Sequence, residues 1–558
     1  MRVGLSIMAL TTALVLAGCS GGTSDPKASS SGSGPGTGAE SAQSPSPAPT
    51  EVGPADFADQ AKGIVDSFSD EELAGSLIIG TWSGTDTQTG VNLVTKNHLG
   101  GVIIMGDNLP QDPTSDQVKG VTKAITGART KGQPVSIGVD QEGGPVSRLS
   151  TGALPFPPLM AFGAAQDPEL TQTATAVQGR NLADLGFTID FAPDADVTTG
   201  PKDVAINVRS AGDDYKNAAE VVAEAVTGYH LGGVGSAAKH FPGHGRLHVD
   251  SHKALPVSQK SIDELEDTDL LPFKSAVKAG VPMVMMGHIG LPDAKTTPAT
   301  LNPKAYTALR TKLDYDGVII TDALNMEAVN QNLRGGETVK ALQAGADLAL
   351  MPPDSAAGQQ AVVKAMKDGD LKKSDLKKKA RRVVAMQLAT ADVQKGLADA
   401  ESSGSGSDSS GSDSDGAGNA GAKDLGAKDP EKVLTEVGEK SLTVLKGKCS
   451  YKGTDSISIV GGSEKEKTAL TAAAKDAGIS VGSGGTSVSL SPNTSAEVAV
   501  GTAAPWTMRN TSAKAAVTAY DSNEYALKAV AKWLKGDLTA AGKLPVKYDG
   551  SDQAPDCS

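Results

Sequence analysis

Short, continuous apolar runs recur along the first two thirds of the chain, at 76–82, 101–106, 134–140, 187–193, 235–240, 282–288, 317–322 and 346–351. Each is too short for a buried helix and lacks the strict alternation of a half-exposed strand. Each therefore predicts a parallel strand covered on both faces. Longer stretches with helical spacing separate them. Ser69, followed by Asp70, Glu71 and Glu72, is a capping-box pattern that opens a helix just ahead of the first run. Eight strand–helix units in about 340 residues predict an α/β fold, a (β/α)8 TIM barrel over 55–398, with a doubly wound open sheet as the alternative.

Two stretches carry almost nothing to bury. Residues 20–54 are mostly Ser, Gly, Pro and Ala, and 401–422 are almost wholly Ser, Gly, Asp and Ala. They predict a disordered tether over 20–54 and a flexible linker over 399–427. A coil of ~35 residues spans roughly 30 Å, and more where prolines stiffen it. Beyond the linker, alternation resumes at 456–460, 479–481, 498–500 and 515–519, with a helix near 523–534. This predicts a smaller α/β sandwich over 428–558. Gly461 and Gly462 follow a strand, but no Gly-Lys-Ser/Thr comes after them, so they mark a turn and not a phosphate loop.

Composition narrows the function. Aromatic residues are only 3% of the 558, so the cores must be built from aliphatic side chains. The net charge of −13 lacks the basic footprint that phosphate binding requires, which excludes nucleic acid as a partner. The chain starts with Met1 and Arg2, continues into an apolar run at 7–16, and reaches Leu16, Ala17, Gly18 and Cys19. The run is too short to span a bilayer and reads as an export signal over 1–19. Leu-Ala-Gly-Cys resembles the bacterial lipobox, which implies lipidation of Cys19 and a protein held at the cell membrane on its extracytoplasmic side. An exported chain can keep a disulfide, and Cys449 and Cys557, the two other cysteines, are expected to pair. Closing so long a loop contributes up to ~4.7 kcal/mol in the chain-entropy account.

Chemistry in a (β/α)8 barrel gathers where strands end. Polar residues stand at those predicted ends: Asp140, Gln141 and Glu142, then Lys239 and His240, then His288, then Thr321 and Asp322. The segment 239–252, KHFPGHGRLHVDSH, holds His240, His244, His248 and His252 at intervals of four. On a helix that spacing would make a metal stripe, but Pro242, Gly243 and Gly245 break a helix. No metal site is predicted. A glycine-rich loop suits carrying a histidine into and out of a cleft.

KHFPGHG followed by DSH, together with DQEGGPVSRL at 140–149 and ITDALNM at 320–326, resembles glycoside hydrolase family 3, in its β-N-acetylglucosaminidase subgroup of the NagZ type. The segment 529–546, AVAKWLKGDLTAAGKLPV, is similar to the sandwich domain of longer members. The resemblance implies Asp322 as nucleophile, His252 as general acid/base with Asp250 beside it, and Asp140, Arg148, Arg209, Lys239 and His240 as sugar-binding groups. His288, by its place at a strand end, is expected to line the pocket. The resemblance also implies a carbohydrate partner, terminal N-acetylglucosamine on muropeptides, and no cofactor. Imidazole titrates near neutrality, so it can both give and take the proton that such a reaction moves. A glycoside phosphorylase, a broader β-glucosidase and a sugar-binding lipoprotein without turnover are the alternative readings. The chain departs from the family pattern at Arg246, Leu247 and His248, and at Asp190 and Asp194 in DFAPDADV, where an Asn and an apolar residue are more usual.

Overall fold

Eight strands rich in Val, Ile, Met and Ala build the larger sheet: β1 (Ile78–Gly80), β2 (Gly101–Ile103), β3 (Ser136–Val139), β4 (Ile189–Asp190), β5 (Gly235–Phe241), β6 (Met283–Met286), β7 (Val318–Thr321) and β8 (Ala349–Leu350). They come from a computed structural model that describes residues 53–128, 132–329, 335–404, 425–492, 495–551 and 554–557. The export signal with Cys19, nearly all of the tether and 405–424 of the linker lie outside these residues. The sheet runs β7-β6-β5-β4-β3-β2-β1-β8, all parallel. A parallel bridge between Ile320 and Leu348 joins the two ends into a barrel.

Side chains alternate across the barrel wall, as strand geometry requires. Ile79, Ile103, Ile189, Met283, Met285 and Ile320 point into one interior cluster. Ile78, Ala238, Val284, Met286 and Ile319 face the surrounding helices in another. Each predicted run overlaps one of these strands; seven strands are shorter than their runs, and β5 reaches one residue past its run, to Phe241. Ser69 caps the helix Asp70–Gly75 with the reciprocal Glu72 bond that the sequence predicts. The helix Lys373–Gly404 supplies Val383 and Met386 to the interior cluster. It runs on to Gly404, so helix occupies the expected start of the linker at 399; its spacing is sustained by Ala, Leu and Val up to Ala400. None of the described helices is long and apolar enough to cross a membrane.

The second sheet holds β9 (Thr443–Lys446), β10 (Ser456–Val460), β11 (Ser480–Val481), β12 (Thr486–Ser489), β13 (Val498–Gly501) and β14 (Ala515–Thr518). Their order is β9-β14-β13-β12-β10-β11, parallel except for β9. Two of these strands escape the sequence reading. β12 is Thr-Ser-Val-Ser and carries one strong apolar residue; β9 follows directly on the helix Pro430–Ser441. Gly461 and Gly462 sit at φ +68° and +73° in the turn after β10. Cys449 and Cys557 form a disulfide, and Trp533, fully buried, donates its indole N–H to the Cys449 carbonyl at 2.9 Å. The helix Pro430–Ser441 presses Val433, Leu434 and Val437 into the cluster that holds Leu159, Phe162 and Leu170 of the barrel.

Candidate active site

A cavity of about 310 Å³ opens at the carboxyl ends of the barrel strands. Its lining includes Asp140, Arg148, Arg209, Lys239, His240, His252 and Asp322, and also Glu142, His244 and Asn325. Residues named from the sequence thus converge from the ends of β3, β5 and β7 and from three loops. A larger groove, about 730 Å³, lies at the opposite end of the barrel around Tyr315, Val318 and Met386. Charged groups line it too, Asp59, Lys62, Asp314, Asp316 and Arg382 among them, but barrel chemistry belongs to the carboxyl face.

Burial forces the charged groups of the cavity into alternating signs. Lys239 Nζ stands 2.8 Å from Asp140 and 2.6 Å from Glu142. Arg209 grips Glu142 with Nε at 2.7 Å and Nη2 at 2.8 Å, and its Nη2 lies 3.3 Å from Asp194. The sequence Asp140–Lys239–Glu142–Arg209–Asp194 is therefore a ladder in which Lys239 and Arg209 each have a carboxyl group on both sides. Unpaired, a buried charge costs several kcal/mol. Desolvation would raise the Glu142 carboxyl, but Arg209 and Lys239 outweigh it and hold it below the usual carboxylate range. Desolvation would lower Lys239, and the carboxylates of Asp140 and Glu142 reverse that and raise it. Arg148 reaches Asp140 only at 3.9 Å.

Asp322 follows β7, and its backbone N–H donates to the Met286 carbonyl at the end of β6 (2.9 Å). Its Oδ1 accepts the Ala323 N–H at 2.7 Å. Burial pushes this carboxyl up; the neighbouring imidazoles of His288 and His240, the Ala323 N–H and the Lys239 ammonium outweigh burial and leave it below the ordinary value. His288, expected among the pocket-lining groups, is instead fully buried behind Asp322. Its Nε2 lies 2.8 Å from the Ala323 carbonyl and its Nδ1 2.7 Å from Thr300 Oγ1. Desolvation lowers this imidazole's affinity for a proton. In the neutral ring Nε2–H donates to the carbonyl, so His288 orients the peptide that holds Asp322 and does not meet solvent or substrate itself.

His240 is the first of the four spaced histidines, and none of them lies on a helix. Its Nδ1 lies 2.8 Å from Asp196, and burial lowers it to about 4. His244 is buried and falls to about 3 for the same reason. His248 and His252 are exposed. The His252 side chain is 69% exposed on the loop that rims the cavity, with Nδ1 2.9 Å from Asp250 Oδ1. The Asp250 carboxyl, against the pull of desolvation, is lowered by the backbone N–H and ring of His252. An Nδ1–H given to Asp250 leaves the Nε2 lone pair as the position that takes and returns a proton.

Glu142, Asp194 and Asp196 are site residues that motif reading did not select. The signal was present in the spacing. Asp140 and Glu142 are two apart, as are Asp194 and Asp196, which puts each pair on one side of an extended segment. Asp196 accepts the backbone N–H groups of His240 (3.2 Å) and His244 (2.6 Å). Burial raises Asp196 to about 7 and Asp194 well above a normal carboxylate. Among the described residues, Asp194, Asp196 and His240 bring ligand-type atoms within 4.8 Å of one another. The Arg209 guanidinium and the two N–H groups already compensate that cluster, so its chemistry does not call for a cation.

Beta-hexosaminidase A of Pseudoalteromonas piscicida is 35% identical over 283 residues, a match that spans about half of each chain, 47% of both. Beta-hexosaminidase LpqI of Mycobacterium tuberculosis is 35% identical over 296 residues, covering 50% of this chain and 72% of that one. A solved glycoside hydrolase family 3 beta-N-acetylglucosaminidase from Paenibacillus superposes with a TM-score of 0.71 at 27% identity, over 86% of this chain and 99% of that one, and so includes both sheets. Residues 70–386, which contain the barrel and the charge ladder, match the glycosyl hydrolase family 3 N terminal domain. The chain belongs to glycosyl hydrolase family 3.

Proposed function

We propose that the protein is a retaining exo-β-N-acetylhexosaminidase that removes terminal N-acetylglucosamine, with peptidoglycan-derived muropeptides as substrate. We also propose that it works outside the cytoplasm, anchored through lipid on Cys19. The observation that carries the reading is one cavity lined by both a half-buried Asp322, its carboxyl held below the ordinary value, and an exposed His252 paired to Asp250. Its volume, about 310 Å³, is at the small end of ligand pockets (~300–1,000 Å³) and suits one terminal sugar.

In this reading an Asp322 oxygen attacks the anomeric carbon as the glycosidic bond breaks. His252 Nε2–H protonates the departing oxygen, and the Asp250 carboxylate steadies the ring's charge. The product of this half is a glycosyl ester on Asp322. His252 then takes a proton from water, water attacks the same carbon, and the ester bond breaks with inversion a second time. In the same reading Lys239 and Arg209 donate to sugar hydroxyl and acetamido oxygens and Asp140 accepts from hydroxyls. The names of the two beta-hexosaminidases and of the Paenibacillus enzyme support the acetamido sugar.

The test is turnover of a fluorogenic N-acetyl-β-glucosaminide and of muropeptides by the protein, with the first-formed anomer followed by proton NMR. The β-anomer is expected from both. First formation of the α-anomer would reject the covalent route. A histidine acid/base does not repel phosphate as a second carboxylate would, so a parallel reaction in phosphate buffer is informative. Accumulation of sugar 1-phosphate there would replace hydrolysis with phosphorolysis.

A further inference from the structure

Arg209 leaves a short 3-10 turn, Asn207–Arg209, and the residue before it points the other way. Val208 is buried in a cluster with Met160 of the barrel and with Ala504, Trp506, Tyr520 and Val546 of the C-terminal domain. Ala504 and Trp506 follow β13, and Tyr520 follows β14. They therefore stand at the carboxyl ends of parallel strands, the edge at which open α/β sheets ordinarily receive a ligand. Here that edge is filled by the back of the loop that carries Arg209.

Backbone contacts fix the same loop from both sides. On the barrel side the buried Asp203 carboxylate accepts the N–H groups of Ala205 (3.1 Å), Ile206 (2.9 Å) and Asn207 (3.2 Å), and the Thr198 hydroxyl at 2.8 Å. On the C-terminal side the Asp213 N–H donates to the Pro545 carbonyl at 3.0 Å, and the Lys547 N–H donates to Asp213 Oδ2 at 2.8 Å. Gly212, at φ +146°, packs so closely that a Cβ there would run into the Pro545 carbonyl oxygen. A loop held on one face by Asp203 alone could pivot. Held on both, it delivers Arg209 to Glu142 in a single bidentate geometry.

We propose that the C-terminal domain is a positioning element of the sugar site. Val546, Trp506 and the Pro545–Lys547 backbone set Arg209, and through it the affinity for the terminal sugar. This rests on the reading of Arg209 as a sugar ligand. None of these C-terminal residues lines the cavity, so they act on binding through Arg209 and not on the reacting atoms.

The experiment compares the full chain with V546A, R209A and the V546A/R209A double variant, on an aryl N-acetyl-β-glucosaminide, with hydrogen exchange across 203–213. A milder variant, D213A, guards against misfolding of V546A. V546A and D213A are each expected to raise KM about fivefold or more with kcat within about twofold. Both should speed exchange at Ala205, Ile206 and Asn207 at least tenfold. In the R209A background V546A should change KM by less than twofold, because contacting residues in one unit are not additive. An equal rise in KM with and without Arg209, or unchanged exchange in V546A and D213A, overturns the proposal. If R209A itself leaves KM unchanged, Arg209 is not a sugar ligand and the proposal falls with that reading. The exchange data then tell the two failures apart.

Discussion

Arg209 and Glu142 face each other with two parallel hydrogen bonds, Nε to Oε2 at 2.7 Å and Nη2 to Oε1 at 2.8 Å, in a region almost closed to water. Fork-to-fork pairing of this kind fixes direction as well as charge. Glu142 also neutralises Lys239. Glu142→Gln keeps the shape but removes the anion shared by two buried cations. Taking one partner from a buried ion pair destabilises by about 3–5 kcal/mol. The variant is expected to unfold at clearly lower urea than the parent, followed by circular dichroism at pH 7. An unchanged midpoint would mean the ladder is not needed for stability.

Asp322→Asn tests the nucleophile. The amide can still accept the Ala323 N–H that Asp322 accepts at 2.7 Å, so the pocket should survive. The covalent step should not. A fall in kcat of about 10³-fold or more is expected, with binding of N-acetylglucosamine retained by calorimetry. Residual turnover above a tenth of the parent would remove Asp322 from the role.

For His252 the leaving group decides the outcome. Exposed on its loop and tied to Asp250, it would contribute, in the proposed reaction, a proton that good leaving groups do not require. His252→Ala should lower kcat/KM on muropeptides by about 10²- to 10⁴-fold. On a dinitrophenyl glycoside the first step should be nearly spared. Equal losses on both would assign His252 to binding.

Asp190 gives a pH-dependent stability. It is fully buried, its Oδ1 accepts the Gln141 N–H at 3.0 Å, and desolvation raises its carboxyl from 3.8 to about 8. In the unfolded chain it ionises above pH 4; in the native state it stays protonated until about pH 8. The native state then binds the extra proton, so stability falls as pH rises through that window, by at most ~1.4 kcal/mol per unit. Asp190→Asn should remove the slope. The thermal midpoint of the variant is expected to match the parent near pH 4 and to exceed it increasingly toward pH 8. A gap that does not grow with pH would show that Asp190 is already ionised in the fold.

Much of this architecture is legible before any coordinates. The eight barrel runs are short, apolar and regularly spaced because each strand is covered on both faces, and Thr321–Asp322 and Lys239–His240 mark strand ends by their abrupt polarity. What escaped was set by tertiary contact. β12 is a strand because Ser487 and Val488 pair with Ser458 and Ile459 of β10 and not because of its own propensity. His288 has the residue type and strand-end position of a pocket group, yet its ring turns back to Thr300 and the Ala323 carbonyl. Glu142 and Asp196 look like ordinary strand-end acids until folding brings Arg209 and His240 against them.

The helix Leu159–Ala165 has almost no exposed residue, although it lies outside the barrel wall. Its shield is the C-terminal domain: Met160, Ala161 and Ala164 lie under Trp506 and Val546, and Phe162 shares a cluster with Val433 and Val437. A polypeptide ended at Gly404 would retain every residue of the charge ladder and display this greasy strip to solvent. Such a fragment would self-associate, and its loss of activity would say nothing about the chemistry of the pocket.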